Sequence, residues 1–219
     1  MNLNDISTVI TVRKGSQRVK NKNLKKFSKK NLLIYKIETL LRVKSIKKII
    51  INTDSKAAIK IAKDYGLQFH VRDPYFASSK CPNNKFWGHI AENTKTKYIL
   101  FTHCTNPLIK PSTYENLIKT FLNKKSKYDS FNSVSEVKEF LILNKKPINF
   151  NFNKAPNSQN LPDVIKLNFA INILSTKLMR KKKSLIGNNP YFYKLKGEEG
   201  FDINTKNDFE FAEFLFKKS

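Results

Sequence analysis

The stretch Arg13-Lys14-Gly15-Ser16-Gln17-Arg18-Val19-Lys20-Asn21-Lys22-Asn23 is the part of this sequence best equipped for chemistry. Its glycine lets the backbone approach a ligand closely. The residues around it add amide N–H groups, a hydroxyl and several cations, a set that can hold a triphosphate. The pattern GxxxxGK[ST] is absent, so this is not a Walker A loop. Taken alone, the stretch reads equally well as a solvated basic loop. Other chemistries are poorly served. Cys81 and Cys104 lack CxxC spacing, and His70 and His89 stand apart from any Cys/His set, so no structural metal is expected. Cys104 has no inferable His-Asp partner that would make it a nucleophile.

A phosphate loop works only if rigid elements present it. Ser7–Val12, a short β-branched run, leads straight into the basic stretch, as a strand leads into a ligand loop in an α/β sheet. Asn31 is placed to cap an apolar-periodic helix over Leu32–Arg42. Ile49-Ile50-Ile51, within Lys48–Asn52, suits a strand buried on both faces. Asp54 or Ser55 can cap the next helix, which runs to Tyr65 with Gly66 at its C′ position. Phe69–Val71 reads as a third strand, Asn84–Thr94 as a helix holding Phe86 and Trp87 in its core, and Tyr98–Thr102 as a fourth strand. Ser112 and Glu115 form a capping box for a helix over Ser112–Asn123. The alternation predicts a mostly parallel sheet with helices on both faces. Beyond Asp129 the pattern changes. Ser130–Val137, Phe140–Leu143 and Ile165–Leu174 read as strands, Gly197–Gly200 as a turn, and Asp208–Phe216 as a helix capped by Thr205 with Asp208. Between them Lys145–Asn160 has no helical period and is long for an idle loop, so it is expected to be an arm used in dimer contact.

Composition narrows the class. The chain has 219 residues, 40% of them hydrophobic and 17 of them Phe, enough for a packed core and too apolar for a disordered chain. Lys and Arg total 42 against 17 Asp and Glu, a net charge of +25. That balance could serve a nucleic-acid binder. Yet only five of the cations are arginines, and the lysines are scattered, so a compositional bias toward Lys, Asn and Ile explains them better. The same positive field favours a phosphate-rich small substrate. No apolar run approaches a membrane span, no signal peptide is visible, and the two cysteines suit a reduced, cytoplasmic protein.

The basic stretch resembles the R-x-G-S-K-R-x-x-x-K-N signature of the sugar cytidylyltransferases that make CMP-sialic acid and related CMP-activated acidic sugars. The resemblance continues in order along the chain. Asn31-Leu32-Leu33-Ile34 resembles K-P-L-I, Thr53-Asp54 resembles S-T-D, and Arg72-Asp73-Pro74-Tyr75-Phe76-Ala77 resembles R-P-x-x-L-A. Thr102-His103-Cys104-Thr105-Asn106-Pro107-Leu108 resembles Q-P-T-S-P-L, and Gln159-Asn160-Leu161-Pro162 resembles Q-D-L-P. Asn168-Phe169-Ala170-Ile171 resembles N-G-A-I, and Asp202-Ile203-Asn204-Thr205 resembles D-I-D-T.

The resemblance implies a Rossmann-like fold of the nucleotide-diphospho-sugar transferase kind, one domain over 1–219, and a dimerisation arm at 138–163 in a homodimer. It implies an enzyme that transfers CMP from CTP, with Mg2+ as cofactor, to the anomeric hydroxyl of a small acidic sugar and releases pyrophosphate. In that scheme Arg13 and Lys22 are catalytic, Arg13 holding the β/γ-phosphates and Lys22 neutralising charge at the α-phosphoryl. Gly15, Ser16, Asn23 and Arg72 bind the nucleotide, and backbone near Cys81 and Asn83 reads cytosine. His103, Gln159 and Asn168 face the sugar, and Asp202 with Asn204 holds the metal. The chain also departs from the pattern. Lys14 stands for a small residue, Gln17 for a lysine, and Ser158 for the arginine that meets the carboxylate of sialic acid. Phe169 replaces a glycine and should narrow the sugar side, and Asn204 replaces an aspartate. The alternatives are another nucleotide or acceptor, or a non-catalytic partner subunit or basic nucleic-acid-binding protein; nucleic acid and membrane are not the expected partners.

Overall fold

The computed structural model describes residues 2–16 and 18–218. Gln17, read above as standing for a lysine, therefore lies outside the described residues. Among the described residues eleven strands follow in chain order: β1 (Ile6–Val12), β2 (Lys26–Phe27), β3 (Lys30–Asn31), β4 (Ile49–Thr53), β5 (Gln68–Val71), β6 (Tyr98–His103), β7 (Ser130–Val137), β8 (Ile142–Leu143), β9 (Lys146–Pro147), β10 (Val164–Ser175) and β11 (Pro190–Lys194). The helices are α1 (Leu32–Leu41), α2 (Lys56–Asp64), α3 (Pro74–Ala77), α4 (Asn83–Glu92), α5 (Pro111–Lys124), α6 (Thr176–Lys182) and α7 (Lys206–Lys218).

Among the described residues, one sheet runs β11-β7-β10-β6-β1-β4-β5. Every neighbouring pair in it is parallel except the two that β10 makes, with β6 and with β7. The mostly parallel sheet expected from the alternation, and the Rossmann-like fold that the resemblance implies, are thus present. Its central strand shows why the faces are filled. Successive side chains of β1 alternate, so Ile6, Ile10 and Val12 enter one core while Val9 enters the other. The first core is closed by α1, α2, α5 and α7, through Leu33, Ile37, Ala58, Leu117 and Phe209 among others. The second is smaller and is closed by α4 and α6, through Ile90, Ala91 and Met179.

Local signals were accurate where the chain caps itself. The Asn31 side chain accepts from Ile34 N at 2.9 Å, and Ser55, not Asp54, caps α2. Gly66 follows α2 with φ +64°, a left-handed conformation that glycine adopts without strain. Thr205 and Asp208 exchange bonds at the start of α7, which runs longer than expected. The Ser112/Glu115 box is corrected. The helix starts at Pro111, and its first turn is met by the buried Glu199 carboxylate, which accepts from Lys110 N at 3.0 Å and Thr113 Oγ1 at 2.6 Å. Glu115 accepts from the Ser45 backbone and hydroxyl instead. The Phe140–Leu143 strand shrinks to Ile142–Leu143, and α3, α6 and β11 were not foreseen.

Residues 138–163 leave the sheet between β7 and β10. They form the β8–β9 hairpin, whose turn residues Asn144 and Lys145 have positive φ, and two short 3-10 turns. Lys138 Nζ pins the base by donating to Leu161 O at 2.9 Å and to Asp163 at 2.9 Å.

Candidate active site

The carboxyl ends of β1, β5 and β6 open into a cleft of about 510 Å3, where ligands settle in open α/β sheets. It gathers Arg13, Ser16, Lys22, Asn23, Arg72, Cys81, Asn83, His103, Asn168, Asp202 and Asn204, so eleven of the thirteen expected site residues share one cavity. Gly15 turns the loop behind it at φ +75° without lining it. Gln159 sits exposed on the 138–163 excursion and does not line this chain's own cleft.

The phosphate loop is closed by its own residues. The Ser16 hydroxyl donates to Val19 O at 2.8 Å and accepts from Lys22 N at 2.7 Å, so it shapes the loop. Asp54 anchors the other side, accepting from Lys14 N at 2.7 Å. The Lys22 ammonium meets Ile203 O, which ties the loop to the Asp202 segment. Burial lowers the Lys22 pKa, partly offset by the Asp202 carboxylate. The Asn23 Oδ1 atom is buried without a partner, free to meet a ligand donor.

Arg72 is aimed by its surroundings. Its Nε donates to Asn52 Oδ1 at 2.6 Å and its Nη2 to Asn52 O at 2.7 Å. The guanidinium lies 4.7 Å from the centre of the Phe86 ring. Burial brings its pKa down to about 10, which leaves it charged at neutral pH. Phe86, expected in the helix core, lines the cleft instead. His103 is recessed in the floor. Burial pushes its pKa to about 4 against the pull of Asp202, so it is neutral at pH 7.

Asn168 lines the cleft with its amide already engaged. Its Oδ1 accepts from Ser133 Oγ at 2.6 Å and Ala170 N at 3.1 Å, and its Nδ2 donates to Ser135 Oγ at 2.9 Å. These bonds commit the amide to shaping an irregularity in β10, where the register with β7 shifts between Leu167 and Asn172. At the far wall the Asn204 Nδ2 donates to Asp202 Oδ2 at 2.9 Å, while Asp208 holds Asn204 N at 2.9 Å. The described residues contain no cluster of three His, Cys, Asp or Glu. A single cleft carboxylate suits Mg2+, which takes few protein ligands when phosphates supply the rest.

Sequence reasoning missed Arg18, Thr11, Thr105 and Phe76, all of which line the cleft. Arg18 was legible as the second arginine of the basic stretch. The others become neighbours only through the sheet.

A mostly parallel α/β sheet with a cationic cleft at its strand ends defines a protein built to handle a polyphosphate. The sequence matches the cytidylyltransferase family model over residues 8–162, more than half the chain, and the protein belongs to that family. It is thus an enzyme that transfers CMP from CTP. It is 26% identical to the CMP-N,N'-diacetyllegionaminic acid synthase of Campylobacter jejuni, covering 96% of this chain and 94% of that protein. It is 28% identical to the N-acylneuraminate cytidylyltransferase of Escherichia coli, covering 94% of this chain and 51% of that one. The fold is shared with a CMP:2-keto-3-deoxy-manno-octonic acid synthetase solved with CTP, at TM-score 0.72, 12% identity, and coverage of 97% of this chain and 98% of that one.

Proposed function

We propose that the protein transfers CMP from CTP to the anomeric hydroxyl of an acidic sugar. The observation that carries this reading is one cleft in which Arg13, Arg18, Lys22 and Arg72 face the Asp202 carboxylate. The relatives named for legionaminic and N-acylneuraminic acid support the acceptor class. The hydroxyl oxygen forms a bond to the α-phosphorus, the bond to the β-phosphate oxygen breaks, and the hydroxyl proton is lost. Little covalent work falls to the protein; positioning and charge carry such transfers. Arg13 and Arg18 hold the leaving phosphates, and Lys22 offsets charge growing on the α-phosphoryl oxygens. Arg72, fixed by Asn52 and Phe86, orients the nucleotide, with Cys81 and Asn83 beside the base. Asp202, with the Asn204 amide, is the candidate Mg2+ holder; the ion, when bound, would supply charge neutralisation at the phosphates.

The working unit in this reading is a homodimer, and 138–163 is the arm of a single nucleotidyltransferase domain. Phe140, Ile142, Leu143, Ile148 and Phe152 are all exposed on that excursion, an apolar patch of the kind that seeks a partner. A partner's cleft would also give the exposed Gln159 a place to act. No helix among the described residues is long and apolar enough to cross a membrane, and the free thiols Cys81 and Cys104 suit the cytoplasm.

A pyrophosphate-release screen tests the function by crossing the four ribonucleoside triphosphates with a panel of acidic sugars. Release is expected with CTP and at least one acidic sugar. Equal use of all four nucleotides, or duplex-DNA affinity without any response to CTP, would overturn it.

A further inference from the structure

Phe169 has φ +52°, a left-handed backbone conformation that a bulky side chain rarely adopts. The conformation is over-determined by its neighbours. Asn168 is held by Ser133, Ser135 and Ala170 N, and the Phe169 carbonyl accepts from Asn172 Nδ2 at 3.0 Å. Gly200 packs against the same group so closely that a Cβ there would fall 2.2 Å from Ser135 Oγ. The chain therefore leaves the regular ladder here and keeps a ring where a glycine would be strain-free. Strain of this sort clusters at sites that use it. The half-buried ring lines the cleft, on the β10 side, across β6, β1 and β4 from the Arg72 end. Behind it stands Trp87, with ring centres 6.0 Å apart and planes tilted by 35°.

We propose that Phe169, backed by Trp87, is the specificity-determining residue of the acceptor end, selecting an acidic sugar that presents an apolar substituent, a methyl or acyl group, to the ring. The inference rests on the transferase reading above. An aromatic face offers contact to C–H groups and nothing to a hydroxyl, which loses its water there without gaining a partner. A hydroxyl in place of a methyl at that point is therefore rejected, and a glycine in place of Phe169 relaxes the choice. Trp87 is the sole tryptophan of the chain, so its emission reports on the wall directly.

The test compares wild type, Phe169→Gly and Phe169→Ala. Two acceptors are used: a nine-carbon 2-keto sugar acid with a full set of hydroxyls, and its deoxy, N-acylated counterpart. Wild type is expected to favour the deoxy, acylated acid at least tenfold in kcat/KM, and Phe169→Gly to lose most of that preference with the KM for CTP unchanged. With a methylene-bridged CTP analogue present, the favoured acid should shift Trp87 emission in wild type and much less in Phe169→Gly. Phe169→Gly should melt about 2–4 °C above Phe169→Ala, since only glycine relieves the backbone. Unchanged selectivity in Phe169→Gly, or a rise in the KM for CTP instead, overturns the role of Phe169 while leaving the transferase reading intact. If no acidic sugar supports pyrophosphate release or moves Trp87 emission, the transferase reading fails, and this inference fails with it.

Discussion

The phosphate end of the cleft and the 138–163 excursion are built by opposite means. At the phosphate end polar groups converge and satisfy one another within one chain: Ser16 with Val19 and Lys22, Lys14 with Asp54, Lys22 with Ile203. The excursion is braced by Asn149, which accepts from Leu141 N and donates to Glu139 O, but it leaves most of its apolar side chains in water. Phe140, Phe150 and Phe152 meet edge to face at 5.0 and 5.5 Å and still leave two of the three rings exposed. One region is complete as folded but for Asn23 Oδ1, left for a ligand donor. The other is braced by a few hydrogen bonds and leaves its apolar side chains unburied, which is why the reading above makes it a contact surface.

The largest expected effect breaks the complete side. Lys22→Ala should lower kcat by roughly 10²–10³, the scale of losing one electrostatic stabiliser of a transition state. CTP affinity, measured by thermal shift, should fall much less, because Arg13, Arg18 and Arg72 remain. An unchanged kcat would mean that the ammonium only ties the loop to Ile203.

A smaller effect is expected from the incomplete side. The pair Leu143→Asp and Ile148→Asp places charges in the exposed patch without touching the sheet. Light scattering should then show the 25.5 kDa chain mass, and for wild type it is expected to show twice that. Activity should fall on the order of tenfold, the scale of losing one substrate hydrogen bond if Gln159 serves the partner's cleft. A monomer of full activity would refute the arm's catalytic part and keep only its role in assembly.

The contrast also explains what the sequence disclosed. The phosphate loop is one contiguous run, so its residue types and spacing were readable, and eleven of thirteen expected residues do share the cleft. Helix caps at Asn31, Ser55 and Thr205 were legible for the same reason: a cap is chemistry within three residues. The Ser112/Glu115 box failed because Glu199, far along the chain, claims that helix start. The excursion's hairpin is short and its turn depends on Asn144 and Lys145 taking positive φ, which the Asn/Lys-rich composition masks. The locking of Asn168 by Ser133 and Ser135 was not legible, because it joins two strands more than thirty residues apart.

The smallest effect on activity, and the sharpest view of how closed the complete side is, comes from Lys36. Its side chain is only 2% exposed, on α1 behind the cleft floor. The Nζ atom donates to Asn106 O at 2.9 Å and to Tyr114 Oη at 2.8 Å. Tyr114 bonds to Thr102 Oγ1 at 2.8 Å, and Thr102 donates to Ala170 O at 2.7 Å, so the series joins α1, α5, β6 and β10 next to Phe169. Burial brings the Lys36 pKa down to about 7, and the nearby Cys104 thiol offsets little of this. The unfolded chain keeps that proton to about pH 10.5, so between pH 7 and 9 it binds more protons than the folded protein. Stability must therefore rise with pH across that window, by about 2 kcal/mol. The gain is physical: neutral Lys36 sheds its desolvation cost while its amine still donates. Lys22, lowered by burial, acts in the same direction. Cys104, pushed up to about 12, acts in the opposite one once free thiols ionise near pH 9. Denaturant titrations of wild type at pH 7, 8 and 9 should show the rise, and Lys36→Met should flatten it, since its apolar chain carries no proton. An equal slope in Lys36→Met would assign the rise to other groups and leave Lys36 charged in the core.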